Sequence, residues 1–276
     1  MKNIYITDLD HTFLRNDLSL SDYTQKIWNS YVDEAILSVA TARTFKKTVE
    51  FLDGFVINAP MILLDGALVA TKEKKVIDMK YISKALCDDI ISVSAKFGIY
   101  PFVIALADEK LNEAFLYSSI LNDYQKEVLA RYAKDDNLEE QKNLTSKEKN
   151  FKLVYMGEEK LLRELLKELQ TVYGSSLKFI LAPEVYVGCW FLTILHKDAD
   201  KAHGIESVSE YMGFDLKKLT VFGDNFNDLG MFALAGTAVA VKNAQEGVKE
   251  KADIILDKIN DEDAVAHYLE GLRNAN

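Results

Sequence analysis

The stretch YITDLDHTFL, residues 5–14, places two aspartates, Asp8 and Asp10, directly after a short apolar run. β-branched and aromatic residues in that run predict a buried strand. Two carboxylates spaced two residues apart leave an extended segment on the same side, where they repel each other and lose hydration. A cation or a shared proton can compensate such a pair, so we expect a functional site at this strand end.

Strand-like and helix-like patterns alternate at both ends of the chain. The apolar runs NIYIT, AILSVAT and PMILLDG alternate with the amphipathic stretches SDYTQKIWNSYVDE and TFKKTVEFLDGF, and LTVFGD, TAVAV and DIIL continue the pattern near the C-terminus. This alternation predicts an α/β fold with a Rossmann-like, doubly wound, mainly parallel sheet.

The middle of the chain has longer helical patterns and predicts an inserted α+β domain. We expect a catalytic core formed by residues 1–80 and 190–276 and an insert formed by residues 81–189. The run PEVYVGCWFLTIL is predicted to return the chain to the first sheet. A length of 276 residues fits such a two-domain arrangement.

Composition excludes several classes of function. A net charge of −10 disfavours binding to nucleic acid or to an anionic membrane. No apolar run is long enough to span a membrane, and the two cysteines lie far apart without a metal-binding pattern. We therefore expect a cytoplasmic protein that acts on a small molecule; the sequence does not predict its oligomeric state.

Polar residues at the predicted strand ends form a candidate site, because ligands of open parallel sheets bind beyond the carboxyl ends of the strands. They come from four parts of the chain and comprise Asp8, Asp10, Thr41, Lys201, Asp224, Asn227 and Asp228. Several carboxylates without a convergent cysteine or histidine predict a hard cation, most simply Mg²⁺. Beside it, Asp8 is the predicted nucleophile that forms an aspartyl phosphate, and Asp10 is the predicted general acid and base.

The same residues resemble the motifs of the haloacid dehalogenase superfamily. DLDHT resembles the first motif, VATAR the second, Lys201 matches the third, and GDNFND resembles the fourth. The stretch GDNFNDLGMFALAGTAVAVKNA is similar to the Cof-like branch, subclass IIB, which carries an α/β cap between the second and third motifs. This resemblance implies a Mg²⁺-dependent phosphatase that hydrolyses small phosphorylated metabolites, often sugar phosphates.

The resemblance also implies roles for individual residues. Asp8 and Asp224 would ligate Mg²⁺, and Asp10 would do so through its backbone carbonyl. Lys201 would contact the phosphate, with Asp228 supporting it, and Thr12 would support the site. The other predicted substrate-binding residues are Thr41, Ala42, Arg43 and Asn227, although Arg43 could equally be a salt-bridge partner at the helix start.

Three positions depart from the family pattern. His11 and Ala42 stand where glycine is usual, and Asp65 stands where asparagine is usual. The roles of His11 and Asp65 stay open. In the predicted cap, Tyr186 and Trp190 are the first candidates for substrate contact, although such an aromatic run is more often part of a core.

Two other functions remain open from the sequence. One is a phosphotransferase or mutase of the same superfamily, which would release little phosphate and would need an acceptor. The other is a non-catalytic module that binds a phosphorylated metabolite. The sequence does not identify the substrate.

Overall fold

The computed structural model describes residues 2–131, 137–184 and 187–274. The chain forms two compact units. The first contains the chain up to Met79 and from Asp200 onward, and the second spans Lys80–Ala199.

The first unit is built on a five-stranded sheet that contains β1 (Asn3–Thr7), β2 (Ala35–Val39), β13 (Leu219–Gly223), β14 (Thr237–Ala240) and β15 (Ile254–Ile255). Every neighbouring pair is parallel, and the strands lie in the order β15-β14-β13-β1-β2. Its helices are α1 (Asp22–Asn29), α2 (Phe45–Phe51), α6 (Lys201–Met212), α7 (Leu229–Leu234), α8 (Glu246–Lys249) and α9 (Ala264–Asn274). The predicted α/β fold class is confirmed.

A small antiparallel sheet follows α2 and lies at the end of the parallel one. It contains β3 (Met61–Leu63), β4 (Leu68–Ala70) and β5 (Val76–Met79). A single parallel bridge between Ala40 and Ile62 joins it to the segment that follows β2. This contact places the turn after β3 beside the carboxyl end of the parallel sheet.

Local sequence explains where α6, which carries a candidate site residue, begins and ends. The side chain of Asp200 caps its first turn by accepting a hydrogen bond from the backbone N–H of His203 at 2.7 Å. Gly213 ends the helix in the left-handed conformation that glycine adopts without steric cost. The first helical residue, Lys201, is therefore held at a fixed point.

The second unit is a mixed sheet covered by helices. Its strands are β6 (Ile82–Ser83), β7 (Phe102–Leu106), β8 (Glu113–Ser118), β9 (Leu138–Gln141), β10 (Lys149–Gly157), β11 (Leu177–Glu184) and β12 (Cys189–His196). Its helices are α3 (Lys84–Ala95), α4 (Asp123–Arg131) and α5 (Glu159–Tyr173). The strands follow the order β11-β12-β10-β7-β8-β9, and β6 pairs with β10.

One boundary prediction is wrong. We expected residues from 190 onward to return to the first sheet, but β12 pairs antiparallel with β10 and β11 of the second unit. The chain re-enters the first unit only at Asp200. An apolar strand pattern shows that a strand forms, but it does not show which neighbour the strand will pair with.

Each unit has its own apolar core. In the first unit, Ile6 and Val221 of neighbouring parallel strands pack with helix residues such as Ile205 and Met231. In the second unit, Leu162 and Leu165 of α5 pack on one face of the mixed sheet.

Both cysteines are buried and free. Among the helices in the described ranges, none combines the length and apolar character needed to span a bilayer.

Candidate active site

The carboxyl ends of the parallel strands bring several predicted residues together. Asp8 follows β1, Thr41 follows β2 and Asp224 follows β13 directly, while Lys201 opens α6. All four side chains are buried. The gathering follows from topology, because β13, β1 and β2 are parallel neighbours and therefore end at the same edge.

Lys201 lies between two carboxylates. Its Nζ donates hydrogen bonds of 2.6 Å to Oδ1 of Asp8 and of 2.6 Å to Oδ1 of Asp228, and only 1% of the lysine is exposed. Burial alone would favour the neutral amine, but the charges of Asp228 and Asp8 outweigh it and raise the pKa of Lys201. The ammonium is therefore charged and fixed in place.

Three carboxylates crowd this position. Asp8, Asp224 and Asp228 offer oxygen atoms that all lie within 4.8 Å of one another. Burial, reinforced by the neighbouring carboxylates, raises the pKa of Asp8 well above its usual range and the pKa of Asp224 to about 7. Lys201 and the Thr12 hydroxyl, which donates to Oδ1 of Asp224 at 3.1 Å, only partly oppose this rise.

The donor set fits a divalent hard cation. When ionised, the three carboxylates and the Lys201 ammonium leave an excess of two negative charges, which one divalent cation would balance. The donors are oxygen atoms, as Mg²⁺ prefers. Asp8 and Asp224 are the two residues predicted to bind the metal through their side chains, and the structure adds the carboxylate of Asp228 to the same cluster.

The loop after β13 holds Asp228 in its orientation. Its Oδ2 accepts hydrogen bonds from the backbone N–H groups of Asp224 at 2.9 Å and Asn225 at 3.0 Å, while Oδ1 faces Lys201. Gly223 permits this close approach, because a Cβ atom there would lie 2.6 Å from Oδ2 of Asp228. The carboxylate is thus fixed by backbone donors on one side and by an ammonium on the other.

The side chain of Asp10 does not join the three-carboxylate cluster. Its two oxygens accept hydrogen bonds from Arg43, from Nε at 2.8 Å and from Nη2 at 2.5 Å. The guanidinium also lies over the Phe51 ring, 4.5 Å from its centroid. Arg43 is thus a salt-bridge partner in this structure, and metal binding through the backbone carbonyl of Asp10 stays a prediction.

The remaining predicted residues surround a turn that follows β3. Thr41 accepts a hydrogen bond at its hydroxyl from the backbone N–H of Arg43 at 3.2 Å, which places Ala42 within a tight turn. Asn227 donates from Nδ2 to Oδ1 of Asp65 at 3.1 Å. The sequence assigns no role to Asp65. Two signals nevertheless mark this residue: it replaces the asparagine that is usual in the family, and it follows a predicted strand.

His11 and Trp190 are each held by contacts within their own unit. His11 has a φ of 57° and its Nδ1 lies 3.3 Å from Oδ1 of Asn16, so its ring is held by the loop that follows. Trp190 packs against the core of the second unit with Arg163 over its ring, as a core residue would. Tyr186 lies outside the described residues.

Comparisons with known proteins agree with this architecture. The family model described as haloacid dehalogenase-like hydrolase matches residues 5–269. A Thermotoga maritima protein of known structure is 27% identical, with a TM-score of 0.81 and coverage of 98% of this chain and 97% of that one.

The curated relatives include phosphatases that are named for their substrates. A 5-amino-6-(5-phospho-D-ribitylamino)uracil phosphatase of Bacillus subtilis is 20% identical over 95% of this chain and 94% of its own length. A pyridoxal phosphate phosphatase of Escherichia coli is 40% identical over 22% of each chain.

The chain spans less than a third of two further curated relatives, which align over only 30% and 28% of their own length. The family model, in contrast, covers nearly the whole sequence. It matches both stretches of chain that build the parallel sheet, and the neighbour of known structure covers both units. The chain belongs to the haloacid dehalogenase-like hydrolases, in their Cof-like branch.

Proposed function

We propose that this protein is a Mg²⁺-dependent phosphatase that hydrolyses a small phosphorylated metabolite through an aspartyl phosphate on Asp8. The observation that carries the proposal is the buried contact of Asp8 with Lys201, beside the carboxylates of Asp224 and Asp228. A carboxylate in such a position is a candidate nucleophile, because it is fixed next to groups that attract a phosphoryl anion.

In the first step, an oxygen of Asp8 attacks the phosphorus atom and the bond to the leaving oxygen breaks. Attack requires the ionised carboxylate, but burial raises the pKa of Asp8, so positive charge must be supplied nearby. Lys201 supplies one such charge at 2.6 Å. The Thr41 hydroxyl and the Asn227 amide are the proposed neutral donors to the other phosphoryl oxygens.

Bound Mg²⁺ would supply the remaining positive charge by polarising a phosphoryl oxygen, and Asp8, Asp224 and Asp228 are the side chains that would hold it.

Asp10 is the proposed general acid and base. It would protonate the leaving alkoxide and later take a proton from the water molecule that hydrolyses the aspartyl phosphate. Both of its oxygens are engaged by Arg43, so this role requires at least one of those hydrogen bonds to break when substrate binds. Arg43 thus holds Asp10 away from the three carboxylates until then.

The substrate class is proposed from the relatives and from charge. A relative aligned over almost the whole chain is named for a phosphorylated ribityl compound, which supports a phosphorylated metabolite such as a sugar phosphate. The net charge of −10 disfavours polyanions, whereas a small phosphate ester needs only local positive charge.

The proposal is tested by measuring phosphate release from a panel of phosphorylated metabolites and from p-nitrophenyl phosphate, with and without Mg²⁺. We expect release that depends on Mg²⁺ and that is lost in Asp8→Asn and strongly reduced in Asp10→Asn. Turnover by Asp8→Asn close to that of the unaltered protein would exclude Asp8 as the nucleophile.

The same panel separates the other two functions. A phosphotransferase or mutase would release little phosphate and would need an added acceptor for turnover. A binding module would show ligand binding without phosphate release from any ester in the panel. Either result would contradict the phosphatase proposal.

A further inference from the structure

The turn after β3 has an unusual backbone. Leu64, Asp65 and Gly66 are consecutive and have φ values of 53°, 56° and 87°. Left-handed conformations cost residues with a side chain roughly 1–2 kcal/mol each, and they persist where the surrounding structure determines them. Two such residues in succession at the edge of a candidate active site therefore call for a functional reason.

Three backbone contacts tie this turn to segments that carry site residues. The N–H of Leu64 donates to the carbonyl of Arg43 at 3.0 Å, and the N–H of Asp65 donates to the carbonyl of Thr41 at 3.0 Å. Gly66 lies against the residue before Lys201, since a Cβ on Gly66 would be 2.0 Å from the carbonyl oxygen of Asp200. The turn is thus fixed between the second and third motif segments.

The fixed turn presents the side chain of Asp65 to Asn227. The carboxylate is buried, with 8% of the residue exposed, and its Oδ1 accepts a hydrogen bond from Nδ2 of Asn227 at 3.1 Å. An ionised carboxylate only accepts hydrogen bonds, whereas an asparagine at this position could accept or donate. Asp65 therefore determines which end of the Asn227 amide faces it.

We propose that Asp65 is a positioning residue that fixes the orientation of the Asn227 amide, so that its second N–H is available to a phosphoryl oxygen. This inference rests on the proposed phosphatase function. It also gives a reason why aspartate replaces the asparagine that is usual at position 65. A carboxylate can only accept a hydrogen bond from the Asn227 amide, whereas an asparagine could face that amide in either of two orientations.

The test compares Asp65→Gly with Asp65→Asn. Both substitutions remove the charge and both residues tolerate a positive φ, but only asparagine keeps an acceptor for Asn227. With inorganic phosphate as a competitive inhibitor in the presence of Mg²⁺, we expect the inhibition constant of Asp65→Gly to exceed that of Asp65→Asn about fivefold, the effect of one misplaced hydrogen bond. Equal inhibition constants would overturn the proposal.

A double-mutant cycle attributes the effect to Asn227. In the background of Asn227→Ala, the difference between Asp65→Gly and Asp65→Asn should disappear, because the oriented group is absent. A difference that persists would contradict the proposal. A drop in thermal stability of Asp65→Gly that by itself accounts for weaker binding would also contradict it, since the role would then be structural.

A readout without substrate separates this inference from the proposed function. The side-chain amide signals of Asn227 in an NMR spectrum, assigned by their loss in Asn227→Ala, should shift and broaden in Asp65→Gly. Unchanged signals would contradict the positioning role. If the unaltered protein releases no phosphate from any ester, the proposed function fails, while the NMR comparison still decides whether Asp65 orients Asn227.

Discussion

The two units bury different kinds of polar group. Within the described residues, the first unit buries the charged side chains Asp8, Asp65, Lys201, Asp224 and Asp228, whereas Glu113 is the buried charged residue of the second. Polar groups buried in the second unit are mostly neutral and are satisfied locally, as where Tyr155 donates to Ser94 at 3.0 Å. Buried charges reduce stability unless they are compensated, so their concentration in the first unit supports the proposal that catalysis takes place there.

The largest expected difference between the units is in activity. Asp8→Asn removes the proposed nucleophile and should lower kcat for phosphate release by about 10⁴-fold or more. The matched control is Asp89→Asn in the second unit, whose carboxylate accepts a hydrogen bond from Tyr173. It should leave kcat unchanged; a comparable loss in both variants would remove the distinction between the units.

Removing the central ammonium should affect stability next most strongly. Lys201→Met leaves the buried carboxylates of Asp8 and Asp228 without their partner, and should lower the free energy of unfolding by about 3–5 kcal/mol. The control is Lys147→Met, whose pair with Glu139 in the second unit is more than a third exposed on both sides. It should cost less than about 1 kcal/mol. Urea unfolding measures both, and a small effect of Lys201→Met would contradict the assigned compensation.

Alanine substitutions at two glycines, both with positive φ, distinguish the cost of backbone strain from the cost of steric overlap. Gly66→Ala would place a Cβ 2.0 Å from the carbonyl oxygen of Asp200, and should cost about 2–3 kcal/mol and reduce activity by displacing Lys201. Gly98→Ala in the second unit has a φ of 70° but no atom within 4 Å of the added carbon. It should cost about 1 kcal/mol, and equal losses in thermal melts would show that backbone strain alone accounts for both.

The smallest expected effect is on the pH dependence of stability, and we expect it in both units. Burial opposes ionisation of Asp263, but hydrogen bonds from Arg15, Ser21 and Thr24 outweigh it and lower its pKa. A lowered carboxyl pKa adds stability above the unfolded-state value, near 3.9, that is lost as pH falls through the folded-state pKa. Asp263→Asn should therefore lower stability by about 1 kcal/mol at pH 7, and this loss should shrink as pH falls through the folded-state pKa of Asp263.

Asp88 in the second unit is the matched group. Burial opposes its ionisation as well, but hydrogen bonds from Lys84 and Ser146 outweigh it and lower its pKa. Asp88→Asn should show the same loss at pH 7 and the same convergence with the unaltered protein in acid. A loss that grows as pH falls, in either variant, would show that the sign of the assigned shift is wrong.

Residue positions at the ends of parallel strands are predictable from the sequence. Asp8, Thr41 and Asp224 could be gathered because alternating patterns predict parallel strands, and parallel strands end at one edge. The pairing of β12 is not predictable in this way, because an apolar strand carries no mark of its pairing partner. Its antiparallel partners β10 and β11 lie in the second unit. Tertiary pairing, not local propensity, decides that boundary.

Side-chain directions beyond the strand ends were not predictable. The turn after Asp10 includes His11 at a φ of 57°, and the Asp10 carboxylate meets Arg43 rather than the other carboxylates. A leucine and an aspartate in the left-handed region at positions 64 and 65 leave no sequence signal, because leucine disfavours that region. These conformations depend on contacts between segments far apart in the chain.

The central claim is that Asp8, Asp224 and Asp228 share one divalent cation beside Lys201. The most direct measurement is a crystal structure of the protein soaked with Mn²⁺ in place of Mg²⁺, in which anomalous scattering locates the metal. We predict a single strong peak among these three carboxylates, lost in Asp224→Asn. A fully occupied Mn²⁺ peak elsewhere, with no metal density between Asp8 and Asp224, would contradict the account.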